Sequence, residues 1–182
     1  MSDSIKLIVS ASQVQKLVIT GHPSIDAVSV YLEDQGKRFS ETSYAGKLTL
    51  TVDSRAYTYF WSHMGSPLSQ FLQSADTCYL RGKLMQCTEQ EELDGSALES
   101  VLRNEIIRQR RALKINADRA RELYDYSDRF DDPHSDIKFM NEVLGDEWYL
   151  CLPKRPTIQA SAITLAIDAM KQAFQEPGHD PA

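Results

Sequence analysis

Apolar residues recur along this chain with two different periods, and the change between them divides it. Up to about residue 64 the repeat is two, the signature of strands; beyond residue 66 it lengthens toward that of a helix. "IKLIVSA" and "KLVITG" are short apolar runs closed by small or turn-forming residues. "DAVSVYLED" alternates, with Val28, Val30 and Leu32 on one face and Ser29, Tyr31 and Glu33 on the other. "KLTLTVDSRAYTYFW" continues in kind: Leu48, Leu50, Val52, Ala56 and Phe60 against Thr49, Thr51, Asp53, Arg55, Tyr57, Tyr59 and Trp61. The polar, Gly-bounded "QGKRFSETSYAG" between these runs predicts an antiparallel pair joined by a mobile loop. Strict alternation leaves one face wet, as antiparallel sheets allow.

The remainder is patterned for helices. Ser66-Pro67 combines a capping residue with a proline suited to the first helical turn, and Leu68, Phe71, Leu72, Ala75 and Tyr79 mark one face of a helix to about Leu84. "QCTEQEELDG" is an acidic linker. Ser96 with Glu99 makes a capping-box pattern that opens a long helix running to about Tyr126. "DDPHSD" stops it, "SDIKFMNEVLG" is a short helix ended by Gly145, "EWYLCL" is a late strand and "PKRP" closes it. "TIQASAITLAIDAMKQAFQ" is an amphipathic helix that buries Ile158, Ala162, Leu165, Ala166, Ala169, Met170 and Ala173, and "EPGHDPA" is a frayed tail. The fold class predicted is α+β: an N-terminal antiparallel sheet of three to five strands followed by about four helices, one of them long and amphipathic. We expect a single domain over 1–182, with a sheet-rich part at 1–64, a helical part at 66–176 and a disordered tail at 177–182.

Composition narrows the function classes. The 182 residues carry a formal charge of −6, with 42% hydrophobic and 25% charged residues, as in ordinary water-exposed globular chains. That sign disfavours indiscriminate attachment to nucleic acid or to an anionic membrane. No apolar run reaches the length of a membrane span, and the first residues lack the basic start of a signal peptide, so a cytoplasmic location is expected, with no membrane partner. The odd number of cysteines (Cys78, Cys87, Cys151), without paired spacing, argues against a disulfide framework or a structural zinc.

Within 98–124, Leu102, Ile106, Gln109, Leu113, Asn116, Ala120 and Leu123 step alternately by four and three, a heptad seam. Arg103, Arg110, Lys114 and Arg121 fall on a second stripe roughly 100° round the same helix. Three readings compete. The stripe is a solvated face paired with the acidic flanks; or it binds a partner protein or a second copy, with Gln109 and Asn116 fixing register; or it lies along a nucleic-acid backbone in a salt-dependent way. On the partner reading, reversing Arg103 and Arg110 together removes binding and leaves the melting temperature intact.

Catalytic signals are weak. His63 precedes the helix that carries Cys78, and the helical rise between them is too long for a nucleophile–base pair. His22, His63, His134 and His179 are scattered, and "DDPHSD" lacks the glycine and final glutamate of a calcium loop. No Gly-rich phosphate loop or GxSxG elbow is present. The expectation is therefore no catalytic residue, no metal and no cofactor. A third, enzymatic reading would need a closed pocket around His63, Asp76 and Tyr79. Tyr57, Tyr59, Trp61 and His63, placed opposite Phe60, offer a second candidate binding face, since large amphipathic rings supply interface anchors; the alternative is that a second layer covers them.

Trp61, Met64, Gly65, Phe71, Asp76, Tyr79 and Leu80 make a Trp-x-x-Met-Gly corner followed by a helical Phe and an Asp-x-x-Tyr-Leu element. With "DAVSVYLEDQGKR" before it, this pattern over residues 17–84 resembles an uncharacterised family encoded by tailed phages and prophages of Gram-negative bacteria. The resemblance brings no catalytic residue. It implies a phage accessory protein in the bacterial cytoplasm that binds a host or phage protein and modulates a process such as defence or replication. The alternative is a nucleic-acid-associated protein using Arg103, Arg110, Lys114 and Arg121.

Overall fold

The computed structural model describes residues 12–130 and 132–175. The strand expected at "IKLIVSA" and the tail 177–182 lie outside the described residues. The chain divides into two compact units, one of Met1–Thr88 with Ile158–Ala182 and one of Glu89–Thr157. An N-terminal antiparallel sheet followed by helices is the α+β class expected from the sequence.

In the first unit, β1 (Gln15–Ile19), β2 (Val28–Ser40), β3 (Ser43–Val52) and β4 (Arg55–Met64) form an antiparallel meander in chain order. The segment expected as a mobile loop continues β2 and β3 instead, with Lys37 opposite Tyr44 and Ser40 opposite Ser43. Gly36 absorbs the register shift in a left-handed conformation at φ +64°, its N–H held 2.8 Å from Asp34 Oδ1.

The β3–β4 turn corrects a larger point. Asp53 and Ser54 both have positive φ, 49° and 64°, the backbone of a tight two-residue hairpin turn. Residues 47–61 are therefore two strands rather than one alternating run. The turn exchanges odd for even: Leu48 faces Tyr59, Leu50 faces Tyr57 and Gly46 faces Trp61. Tyr57, Tyr59 and Trp61 thus share the aliphatic face, while Phe60 pairs with Lys47 on the other side and is 38% exposed.

The helix expected up to Leu84 is broken into α1 (Leu68–Ser74) and α2 (Thr77–Leu84), because Asp76 turns out of the helix and accepts the Tyr79 N–H as the cap of α2. At the start of α1, Asp34 Oδ2 accepts the Leu68 N–H at 2.9 Å, satisfying a donor that the helix cannot. A β-carbon on Gly46 would lie 3.1 Å from both the Glu33 carbonyl oxygen and Leu68 Cδ2, which is why the sheet approaches α1 at a glycine. The expected C-terminal helix forms over Ile158–Ala173, but its buried side takes in Ile163 and Ile167, which the expected face left out, while Ala162, Leu165 and Ala173 are only half-buried. It buries Ala160, Ile163, Ala166, Ile167 and Met170. Ile158, expected inside, is 85% exposed.

The second unit holds β5 (Glu91–Leu93), α3 (Gly95–Arg111), α4 (Ala117–Ser127), α5 (Ile137–Leu144) and β6 (Lys154–Pro156). "PKRP" supplies a strand, since β6 pairs antiparallel with β5. "EWYLCL" does not: Trp148–Leu150 is a 3₁₀ turn anchored by the buried Trp148, with Tyr149 and Leu150 exposed. Thr157 N–H donates to the Gln90 carbonyl and Asp94 N–H to that of Pro153, so the two ends of this unit are joined.

The long helix expected to reach Tyr126 stops at Arg111. Leu113 takes a left-handed conformation at φ +58° and is 80% exposed, while Asn116 caps α4 by accepting the Arg119 N–H at 2.8 Å. The heptad seam is therefore absent as a continuous surface. Its polar positions have local tasks, a role short amides perform well at helix ends. Gln109 Nε2 donates 2.8 Å to the Val143 carbonyl, one of the last carbonyls of α5. The chain folds back so that Leu123 joins Leu98, Leu102, Ile106, Phe139, Met140 and Val143 in one core. Asp94, rather than Ser96, caps α3.

Asp136 caps α5 through the Phe139 N–H at 3.0 Å, and that bond, with the Tyr126 hydroxyl, holds its carboxyl below the usual value of 3.8. A carboxyl depressed in the folded state stabilises above its unfolded pKa, and the contribution is lost as pH falls through the lower, folded value. Hydrogen-exchange protection of α5 should accordingly fall as pH drops below about 4. Asp136→Asn keeps the acceptor without the charge and should flatten that dependence; superimposable profiles would refute the assignment.

Candidate functional site

Two steps of four residues on each of two helices build a concavity in the helical unit. Ile106 and Ile107 on α3 lie one turn before Arg110 and Arg111; Ala120 and Arg121 on α4 lie one turn before Tyr124 and Asp125. Together they line a groove of about 430 Å³. Its floor is apolar: Ile106 is buried, and Ile107 and Tyr124 are 38% and 36% exposed. Its rim carries three guanidinium groups.

Charge in this unit is sorted. Arg103 pairs with Glu99 at 2.5 Å and with Asp128, and its guanidinium stands 4.8 Å from the Tyr124 ring centroid. Arg108 pairs with Glu105 at 2.6 Å, and Arg119 binds both Glu122 and Glu142. Those contacts hold the Glu105 and Glu142 carboxyls below the usual range. Among the described residues Arg110, Arg111 and Arg121 have no ion pair. The basic groups that line the groove are among those without an ion pair in the described residues.

The structure therefore divides the residues singled out from sequence. Arg110 and Arg121 meet across the groove. Arg103 sits behind it as a structural cation, and Lys114 lies in the exposed connection between α3 and α4. Arg111 and Ile107 escaped the sequence reading although the signal was present: on α3 they lie just beyond the basic stripe at about 100° per residue.

The aromatic face is corrected. Trp61 is 5% exposed, and its Nε1–H donates to the Tyr79 hydroxyl at 3.0 Å. Its ring meets Tyr59 at 4.7 Å and Phe71 at 5.4 Å between centroids, and Lys83 covers Tyr59 and Tyr79 at 5.2 and 5.6 Å. Tyr57 and Tyr59 are half-buried against the same core. Trp61 is thus an internal anchor between the sheet and α2, because the hairpin turn put it on the covered face. His63 is exposed at the end of β4, with Nδ1 3.0 Å from Ser62 Oγ. Asp76 and Tyr79, the remaining members of the enzymatic reading, cap α2 and receive the indole N–H.

Among the described residues no group of three or more His, Cys, Asp or Glu side chains is placed to hold a metal ion, and no helix is long and apolar enough to cross a membrane. Comparison with known families gives a match over residues 8–176 to a family model described as a phage family. No curated protein and no solved structure matches the chain.

Proposed function

This chain belongs to the phage family whose model it matches, and from that premise we propose that it is a phage accessory protein working as a non-enzymatic protein-interaction module. On this reading it acts in the cytoplasm of a bacterial host and modulates a process there, such as defence or replication. The Trp61-x-x-Met64-Gly65 corner belongs to the same reading as a family signature that shapes the fold rather than a site. The observation that carries the proposal is the groove between α3 and α4, where an apolar floor lies beside three arginines that have no ion pair among the described residues. Open apolar surface beside uncommitted guanidinium groups is the material of interface anchors.

The test is retrieval of partners by the tagged full chain from nuclease-treated bacterial lysate, beside a chain carrying Arg110→Glu and Arg121→Glu. Stoichiometric protein captured by the native chain supports the module. Capture that vanishes with nuclease favours the nucleic-acid reading, which also draws on Arg110 and Arg121.

A further inference from the structure

We propose that the α3–α4 groove takes an acidic linear segment of a partner protein that carries one or two large apolar side chains; the inference rests on the interaction-module reading above. The apolar side chains of the segment sit on the exposed parts of Ile107 and Tyr124, above the buried Ile106, and its carboxylates engage Arg110, Arg111 and Arg121.

Three observations fix this chemistry. The first is size. A groove of about 430 Å³ is on the scale of sites that enclose a small ligand or a few side chains. The second is charge left over by the fold. Glu99, Glu105, Glu122, Glu142 and Asp128 already bind Arg103, Arg108 and Arg119, which leaves three guanidinium groups in the lining of the groove against one carboxylate, that of Asp125. Guanidinium groups match carboxylates in a planar, two-bond geometry, and they lose less hydration than an ammonium on doing so. The third is what the groove disfavours. A nucleic-acid strand needs cations spaced along its backbone and free aromatic faces for bases. Here the cations converge on one apolar depression around Ile107 and Tyr124 instead of running in a line.

The probe is a short fluorescein-labelled peptide of Glu and Ala carrying Leu and Phe one helical turn apart, titrated by anisotropy against the full chain. Three controls accompany it: the peptide with Gln for Glu, the peptide with Ala for Leu and Phe, and a labelled oligothymidine of equal length. The acidic, anchored peptide should bind, and each peptide control should bind at least about tenfold more weakly, the loss expected when charge-assisted bonds are removed. Arg110→Glu with Arg121→Glu should weaken the first peptide by at least about tenfold, and added salt should weaken it further. Arg110→Gln with Arg121→Gln provides the same reading should the reversed pair fail to fold. No binding of the acidic peptide, equal binding of the Gln peptide, or preference for oligothymidine overturns the proposal. Lysate protein that is still captured by the charge-reversed chain removes the groove and leaves the module reading standing, whereas the absence of any captured protein removes the module reading itself.

Discussion

Replacing Trp61 with Ala should destabilise the sheet unit by about 3–5 kcal/mol, the range for deleting a large buried ring. The side chain is 5% exposed and touches Tyr59 and Phe71, so its loss opens a cavity between the sheet and α1. Trp61→Phe separates ring from hydrogen bond. It retains most of the apolar area but removes the N–H donated to Tyr79 together with part of the buried ring, at a cost of at least about 0.5–1.5 kcal/mol and below that of the alanine variant. Urea unfolding followed by circular dichroism, with hydrogen exchange in β3, reads both. A loss under about 1 kcal/mol for the alanine variant would mean that Trp61 is peripheral, as the strand alternation alone implies.

Arg103→Glu and Arg110→Glu should behave oppositely, although the two residues lie two helical turns apart on one stripe. Reversing Arg103 puts a third carboxylate beside Glu99 and Asp128 and removes the cation over Tyr124. The helical unit should lose about 1–3 kcal/mol. Arg110 is exposed and has no ion pair among the described residues, so its reversal should stay within about 0.5 kcal/mol. The chain has two tryptophans, and Trp148 lies in the core of the helical unit. Its fluorescence during denaturation in a Trp61→Phe background therefore reports on this unit. Equal shifts for the two variants would deny the division between structural and uncommitted arginines. The double reversal of Arg103 and Arg110 mixes folding with binding, and Arg110 with Arg121 is the cleaner pair.

What could be seen in the sequence follows from what is local. The α+β class, the C-terminal helix and the stop at Gly145 rest on periodicity and capping within a few residues, and they form as expected. The face of Trp61 depended on one turn. Asp53-Ser54 lacks the glycine that usually marks a tight hairpin, and a missed two-residue turn inverts every side chain after it. The long helix failed for a related reason. Leu113 and Asn116 suit a heptad seam as well as they suit a connection, and only the pairing of Leu123 with Leu98, Leu102 and Ile106 decides between them. The groove was half visible: its arginines stood out as a stripe, but their sorting into paired and unpaired depends on residues far apart in the chain, such as Glu142 for Arg119. Charge count could not reveal it.

The joined ends of the helical unit have an evolutionary consequence. Because Gln90 and Thr157 are bonded backbone to backbone, the chain begins and finishes its excursion at adjacent points. Such a segment can be exchanged for another of different length, or shortened to a tight turn, without re-threading the strands that precede it or the helix that follows. The groove is then carried on a stretch that leaves and rejoins the chain at one place, so a change of length within residues 89–157 leaves the spacing of its two ends unaltered.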